Sequence, residues 1–456
     1  MDQKLKKIKD SKKNFFIKTF GCQMNEYDSK RIVDILKKFG FQEKKDLESL
    51  DCFILNTCHI REKATEKVYH EIGRLKKKYK YQKKPIVLVT GCVAQAENDE
   101  MLKRENYIDA VIGPQSYQNI PKVLDQINKN KKSLNFTEFD VIDKFDKLNK
   151  LVNLNSKISS FITIQEGCDK FCSFCVVPYT RGSEYSRSLD EIIYEASSLI
   201  KNGSREITLL GQNVNAYKYI SNNRKFKLSD LIKELDKLKD LKRIRYTTSH
   251  PNDMTEDLIE CYKYSKKLMP FIHLPVQSGS NKILKKMNRK YTVEKYLSIV
   301  KELRNILPKM EFSSDFIVGF PGETDKDFND TLNLIKDVKF INSYSFVYNK
   351  RPGTPAARLA SIDPKLQKTR LSILQNLIEK IQIEKNHKSI GTSKEVLVEN
   401  RMKDQSKYFG RTCELTPVIF DANDHDIGQI INVEIKDFNR NSLFGKKISI
   451  KKEDAA

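Results

Sequence analysis

No stretch of this chain approaches the unbroken apolar run, about twenty residues, that a membrane-crossing helix requires. The lysine-rich start, residues 1–13, leads only into a short apolar stretch interrupted by Lys18, unlike a secretory signal. A cytoplasmic protein with no membrane partner is expected. The six histidines form no H-x3-H pair, no G-x4-G-K loop is present and no Ser-His-Asp order stands out, so neither a hydrolase nor a nucleotide triphosphatase has a motif to rest on. An even cysteine count is lacking too. Nine cysteines without an export signal argue against a disulfide framework and make metal binding the open question.

Positive charge, by contrast, is abundant. The formal net charge is +23, from 83 Lys and Arg against 60 Asp and Glu, which favours a polyanionic partner such as nucleic acid over an acidic small molecule. Solvated faces and compositional drift also produce such an excess, so charge alone does not decide. At 456 residues the chain exceeds one ordinary core, and two or three domains are expected.

The pattern changes three times along the chain. In 14–130, apolar runs at 15–17, 53–55 and 85–89 end in Gly21-Cys22, Asn56-Thr57-Cys58 and Gly91-Cys92, each followed by a helix-like stretch. Short runs alternating with helical stretches predict a parallel α/β domain, with each cysteine just past a strand's carboxyl end. Residues 131–157, rich in Lys, Asn and Asp without periodicity, are expected as a linker. Over 158–387 six strand candidates, 161–164, 206–210, 243–247, 271–274, 312–318 and 343–348, alternate with amphipathic stretches. They predict an incomplete (β/α)6 barrel working at the carboxyl ends of its strands. In 388–452 short strands at 394–399, 411–415, 417–420, 429–435 and 447–450 predict a small β-barrel of the kind that handles RNA. Residues 388–456 hold twelve Lys and Arg against eleven Asp and Glu, so RNA contact there needs a local face.

Spacing sorts the cysteines. Cys168, Cys172 and Cys175 form a C-x3-C-x2-C loop after the first barrel strand. Thiolates suit iron–sulfur clusters and zinc alike, but structural zinc usually takes four closed ligands and no fourth Cys or His lies nearby. Three ligands on a four-iron cluster leave one iron open to a substrate's amino and carboxylate groups, and Phe171 and Phe174 flank the loop to exclude water. Cys22, Cys58 and Cys92, spaced by 36 and 34 residues, are too far apart for a local motif. They either converge at strand ends or are three unrelated buried thiols. Cys52, Cys261 and Cys413 fit packing positions.

The loop from Gly167 to Cys175 resembles the signature of the radical S-adenosylmethionine superfamily. Further strings resemble the methylthiotransferase family across nearly the whole chain: Thr19-Phe20-Gly21-Cys22-Gln23-Met24-Asn25, Asn56-Thr57-Cys58-His59-Ile60-Arg61, Leu210-Gly211-Gln212-Asn213-Val214-Asn215, Ser249-His250-Pro251, Leu274-Pro275-Val276-Gln277-Ser278-Gly279 and Ser314-Asp315-Phe316-Ile317-Val318-Gly319. The strings at Cys22 and Gly211 are similar to the branch acting on N6-dimethylallyladenosine next to the tRNA anticodon. They are unlike those of branches acting on another tRNA adenosine or on a ribosomal protein aspartate.

The resemblance implies a methylthiotransferase domain, a radical core and a TRAM domain that binds RNA. It implies two 4Fe-4S clusters, one on Cys22, Cys58 and Cys92 and one on Cys168, Cys172 and Cys175, with no catalytic residue beyond these ligands. Two S-adenosylmethionine molecules are implied, one donating a methyl group to sulfur and one giving the 5′-deoxyadenosyl radical that takes hydrogen from adenine C2. By fold analogy Gly211 and Gln212 meet the methionyl amino group, while Gln277 and the backbone around Phe316, Val318 and Gly319 approach ribose and adenine. Arg181 is expected either to contact RNA phosphate or to order the cluster loop. Arg351, in a rigid turn, is placed near substrate. The expected partners are tRNA, an external electron donor and a sulfur source, with the chain itself a monomer.

Overall fold

Strands buried along nearly their whole length need cover on both faces, and Cys52–Thr57 and Ile86–Gly91 have that pattern. The computed structural model describes residues 13–58, 64–129, 133–138, 144–145, 157–403 and 406–448. They fall into two compact units, the first made of Met1–Leu154, Gln165–Asp169 and Val176–Arg187, the second of the remaining residues.

The first unit is built on a parallel six-stranded sheet, in the order Gln42–Glu43, Asn14–Thr19, Cys52–Thr57, Ile86–Gly91, Ala110–Ile112 and Leu134–Phe136. Successive strand residues face opposite layers, as the period of two requires. Phe15, Ile54 and Leu88 pack with Ile32, Ile35 and Leu36, while Phe53, Leu55, Val87 and Val89 pack with Val68, Ile72 and Leu75. Strand order reverses between Asn14–Thr19 and Cys52–Thr57, a switch point of the kind where open α/β sheets place their sites.

Part of the expected linker 131–157 belongs to this unit. Leu134–Phe136 is the edge strand beside Ala110–Ile112, and Lys144 and Phe145 are buried. Three residues amid Lys and Asn carry too little alternation to register as a strand. Residues 130–132, 139–143 and 146–156 lie outside the described residues.

In the second unit six parallel strands follow in chain order: Ser159–Thr163, Glu206–Leu210, Arg243–Tyr246, Phe271–His273, Glu311–Val318 and Asn342–Val347. A bridge between Ile244 and Leu268 joins the two halves. Among the described residues the first and sixth strands are not paired, so the barrel is incomplete as expected. Its helices start where a side chain can take the orphaned amide hydrogens: Ser188 accepts from Glu191, Thr292 from Lys295, and Thr324 and Asp327 form a capping box. Ile207, Leu209, Ile244, Tyr246, Phe312, Phe316 and Val318 face those helices in one large core, which leaves the alternate strand residues to line the lumen. A hairpin that sequence patterning missed, Lys218–Ser221 with Arg224–Lys227, turns on Asn222 and Asn223 at φ +47° and +58°. Such a turn favours asparagine, and Asn-Asn was its one visible signal.

The C-terminal strands Ser393–Arg401, Tyr408–Thr412, Pro417–Asp421, Ile430–Phe438 and Leu443–Lys447 close into a barrel. Two expected strands move. The stretch 411–415 gives way to Tyr408–Thr412 because the chain turns at Leu415, where φ is +72°. The stretch 447–450 gives way to Leu443–Lys447, where Leu443 fills the barrel core, and residues 449–450 lie outside the described residues. This barrel belongs to the second unit. Arg243 donates to the carbonyls of Arg411 (2.7 Å), Thr412 (3.1 Å) and Glu395 (3.2 Å), and Arg245 to those of Cys413 (2.8 Å) and Thr412 (3.0 Å). Deleting the C-terminal barrel would therefore strip two buried guanidinium groups of their carbonyl acceptors, leaving Arg245 with Glu206, as well as removing any RNA contact.

Candidate metal centres

Adjacent parallel strands of the first sheet end level: Thr19 lies opposite Asn56, and Thr57 opposite Gly91. A cysteine follows each end within three residues, so Cys22, Cys58 and Cys92 come to one edge of the sheet. Two glycines permit the approach. A Cβ on Gly21 (φ +137°) would lie 2.4 Å from the Cβ of Cys58, and one on Gly91 (φ +94°) only 2.2 Å from the Thr57 carbonyl oxygen. Fully buried Asn25 ties the strand ends, donating from Nδ2 to Asn56 Oδ1 (3.1 Å) and to the Thr57 carbonyl (3.0 Å). Asn56 returns a bond to the Asn25 carbonyl at 2.9 Å, and Thr57 Oγ1 donates to the Thr90 carbonyl at 2.7 Å.

A hydrogen bond from Cys58 holds the Cys22 thiol down to about 6; burial opposes this, and the Asn25 amide and the Arg181 charge assist it. Cys22 caps the helix Gln23–Lys38 and Cys92 opens Cys92–Arg104, positions where a helix favours negative charge. Thiolates are what a cluster binds, so this donor set fits one. Among the described residues no three His, Cys, Asp or Glu side chains close on a single ion; cluster ligands bind separate irons and stand further apart than ligands sharing one.

Gly91→Ala is expected to remove about one cluster's iron from the anaerobically reconstituted protein. Gly73→Ala, with nothing within 4 Å of its new methyl group, should leave iron unchanged. Full iron in the Gly91 variant would show that the close approach is not needed for assembly.

Arg181 ends the short helix Val177–Arg181 and is 2% exposed. Its charge is felt by the Cys92 thiol, it donates from Nη2 to Asp28 Oδ2 at 2.9 Å and it lies 3.5 Å from Glu166. Lys144 pairs with Glu166, lies 3.5 Å from Asp28 and donates to the Pro114 carbonyl at 3.0 Å. Two carboxylates thus balance two cations, all four buried. Burial pulls the arginine's pKa down, but Cys92, Asp28 and Glu166 outweigh it and hold the pKa well above its ordinary value. A buried, paired arginine has no face for RNA phosphate, which corrects that alternative.

Within the first unit the Cys168 amide donates to the Gly182 carbonyl at 3.1 Å. Gly167 (φ +75°) packs so closely that a Cβ would sit 1.9 Å from the Ser183 carbonyl oxygen. Within the second unit Cys172 and Cys175 share a turn, the Cys175 amide donating to the Cys172 carbonyl at 3.0 Å. Ser173 anchors it, its amide to the Met287 carbonyl at 3.0 Å and its hydroxyl to that of Lys286 at 2.9 Å. Buried Arg289 donates to Cys172 Sγ at 3.4 Å and to the Pro275 carbonyl at 2.7 Å. Phe174 packs against the cluster of Met287, Phe320 and Tyr348 and can exclude water, whereas Phe171 is 52% exposed and cannot.

Gly211 and Gln212 directly follow the barrel strand Glu206–Leu210, at its carboxyl end. Gln277 (φ +75°) bridges the next rim, its amide donating to the Asp315 carbonyl at 2.9 Å while its own carbonyl accepts from Ile317 at 3.0 Å. The side chains of Phe316 and Val318 point into the helix-facing core. Gly319 has both backbone polar groups engaged, by Glu323 (2.5 Å) and Gln367 (2.9 Å). These three shape the rim through their backbone positions alone.

Sequence reasoning missed Asp28, Lys144, Glu166 and Arg289, which carry no motif of their own. It gave His250 no role either. Burial, then Arg289 and Lys170, push His250 down to about 2, so its ring stays neutral. Its Nδ1 accepts from the Asn252 amide at 3.2 Å. Cys52 and Cys261 are buried, and burial raises both thiols. Cys413 is raised to about 11, by burial and then by Glu414.

Three family models match the chain: Radical SAM superfamily over 162–335, Uncharacterized protein family UPF0004 over 14–113, and TRAM domain over 388–448. The tRNA-2-methylthio-N(6)-dimethylallyladenosine synthase of Pelagibacter ubique is 60% identical over 444 residues, which covers 97% of this chain and 100% of that protein. The chain belongs to this synthase family. Synthases of the same name from a Wolbachia of Culex pipiens and from Rickettsia akari are 50% and 48% identical, each covering 95% of this chain and 99% of its own length. Membership in the synthase family decides for clusters over zinc, and the cofactors are two 4Fe-4S clusters and S-adenosylmethionine.

Among solved structures, the radical S-adenosylmethionine methyltransferase TsrM of Kitasatospora setae superposes with a TM-score of 0.56 at 13% identity, covering 76% of this chain and 77% of its own. The cobalamin-dependent S-adenosylmethionine radical enzyme OxsB gives 0.51 at 12% identity, covering 81% of this chain and 56% of its own. These likenesses establish the fold. No helix among the described residues is long and apolar enough to cross a membrane.

Proposed function

We infer that this chain attaches a methylthio group to adenine C2 of N6-dimethylallyladenosine, next to the anticodon of tRNA. The observation that carries the inference is the likeness to the synthases over 97% of the chain. In this reading Cys22, Cys58 and Cys92 hold the sulfur-delivery cluster, and Cys168, Cys172 and Cys175 hold the radical-generating one. Bound there, the clusters and S-adenosylmethionine supply methyl and sulfur transfer at one centre and the means to break an inert C–H bond at the other.

The chain's own residues position and shield. Arg181 lends its charge to the Cys92 thiol and Arg289 holds the Cys172 sulfur, while Phe174 keeps water from the second centre. Gly211 and Gln212 receive the methionyl amino group, and Gln277 faces ribose and adenine across the rim formed by Phe316, Val318 and Gly319. The chain carries +23 in all, nearly all of it outside the C-terminal barrel; this basic body attracts the polyanion in bulk and the nearly neutral barrel adds oriented contacts, so tRNA affinity falls as salt rises. The reaction draws on an external reductant and sulfur source, and the chain works as a monomer.

The test is anaerobic reconstitution with iron and sulfide, followed by assay on tRNA with and without the dimethylallyl group. Burying that arm contributes on the order of 2–3 kcal/mol, so prenylated tRNA should be strongly preferred. Equal turnover of both, or modification of a ribosomal protein instead, contradicts the substrate assignment while leaving the radical chemistry standing.

A further inference from the structure

Residues paired across parallel strands point to the same face. In the last barrel strands Phe312, Phe316 and Val318 turn to the helices, so Ser313, Asp315 and Ile317 turn inward, Asp315 opposite Tyr344 and Ile317 opposite Phe346. His273, opposite Ser313, identifies the same side. Its Nδ1 is 2.7 Å from Ser313 Oγ, its Nε2 3.6 Å from Asp315, and its ring meets Tyr344 edge-on at 6.1 Å.

This inner face leaves two large aromatic side chains open, Tyr344 at 55% and Phe346 at 39% exposure. Isolated exposed aromatics are ordinary; two at alternate positions on the inner face of a partial barrel form a continuous apolar surface, the mark of a binding site. It leads to the candidate radical centre. Ile317, beside Phe346, packs in the same cluster as Phe174, from the segment that carries Cys172 and Cys175. The starts of the second and third strands are ionic instead: Glu206 pairs with Arg245, and Arg243 and Arg245 bind carbonyls of the C-terminal barrel. The ionic positions thus lie at strand starts of the first three-stranded half, and the exposed aromatic pair on the last strand of the other.

We propose that Tyr344 and Phe346, on the inner face of the last barrel strand, bury the dimethylallyl arm of the substrate adenosine and set the preference for prenylated tRNA. The proposal rests on the function inferred above. A five-carbon branched arm is apolar and matches a surface of two aromatic faces. The Ser313–His273–Asp315 group at the foot of the wall leaves a polar boundary that such an arm does not cross without loss.

Binding of an anticodon stem-loop RNA, synthesised with and without the dimethylallyl group, tests this by fluorescence anisotropy on the full, reconstituted chain. The unsubstituted chain should bind the prenylated RNA at least about tenfold more tightly. Phe346→Ala and Tyr344→Ala should each cut that ratio several-fold by weakening only the prenylated RNA, and Phe346→Leu should keep most of it. Both side chains are exposed, so these variants should fold and carry full iron. Tyr194→Ala, which removes an aromatic 61% exposed on the helix Leu189–Lys201, should change nothing. An undiminished ratio in the double variant overturns the wall while sparing the substrate assignment. Equal binding of both RNAs by the unsubstituted chain overturns both.

Discussion

Replacing Cys168, Cys172 and Cys175 with Ala is expected to abolish both 5′-deoxyadenosine formation and methylthiolated product. Replacing Cys22, Cys58 and Cys92 should abolish product alone and leave residual, uncoupled cleavage of S-adenosylmethionine. The asymmetry follows from the two jobs proposed for the centres: without an open iron at the second no radical would form, whereas loss of the first would remove only the sulfur to be delivered. Iron should fall by about one cluster in either triple variant. Cys52→Ser, Cys261→Ser and Cys413→Ser should retain iron, because burial favours the protonated forms of these thiols. Quantified iron, sulfide and both products check all of this on one set of proteins. Methylthiolated tRNA from the Cys22, Cys58 and Cys92 variant would contradict the assignment, as would loss of iron from the Cys52 variant.

Arg181→Met is expected to destabilise the fold by about 3–5 kcal/mol, the usual cost of leaving a buried charge uncompensated. With Arg181 present, Asp28 and Glu166 are balanced by Arg181 and Lys144. Without it, two buried carboxylates share one lysine. The neutralised pair Asp28→Asn with Arg181→Met should recover part of the loss, since Lys144 then retains Glu166 as its partner. Urea unfolding of the three variants gives the comparison. An Arg181→Met protein as stable as the original would mean that the network is not closed in solution. A double variant no better than the single would mean that Arg181 acts through Cys92 alone.

The sequence made much of this legible because the relevant signals are local. Buried runs such as 85–89 mark strands, and a C-x3-C-x2-C loop is readable at a glance. The convergence of Cys22, Cys58 and Cys92 was readable only as a shared position after a strand, since sheet order and register bring them together. The Asp28, Lys144, Glu166 and Arg181 network joins positions up to 153 residues apart and leaves no trace in spacing. Lys144 stands in a Lys- and Asp-rich stretch that reads as solvated linker, yet it is fully buried. Likewise Tyr344 and Phe346 follow the alternation of any half-buried strand, and only the register against Asp315 and Ile317 turns them inward.

The central claim is that one S-adenosylmethionine gives its methyl group and another takes the hydrogen from adenine C2. It is tested most directly with isotopes: prenylated tRNA deuterated at adenine C2, incubated with the reconstituted protein, reductant and methyl-deuterated S-adenosylmethionine. The account predicts that the C2 deuterium appears in 5′-deoxyadenosine and that the product nucleoside carries the deuterated methyl on sulfur. Product formed with no deuterium in 5′-deoxyadenosine, or with an unlabelled methyl group, would contradict it.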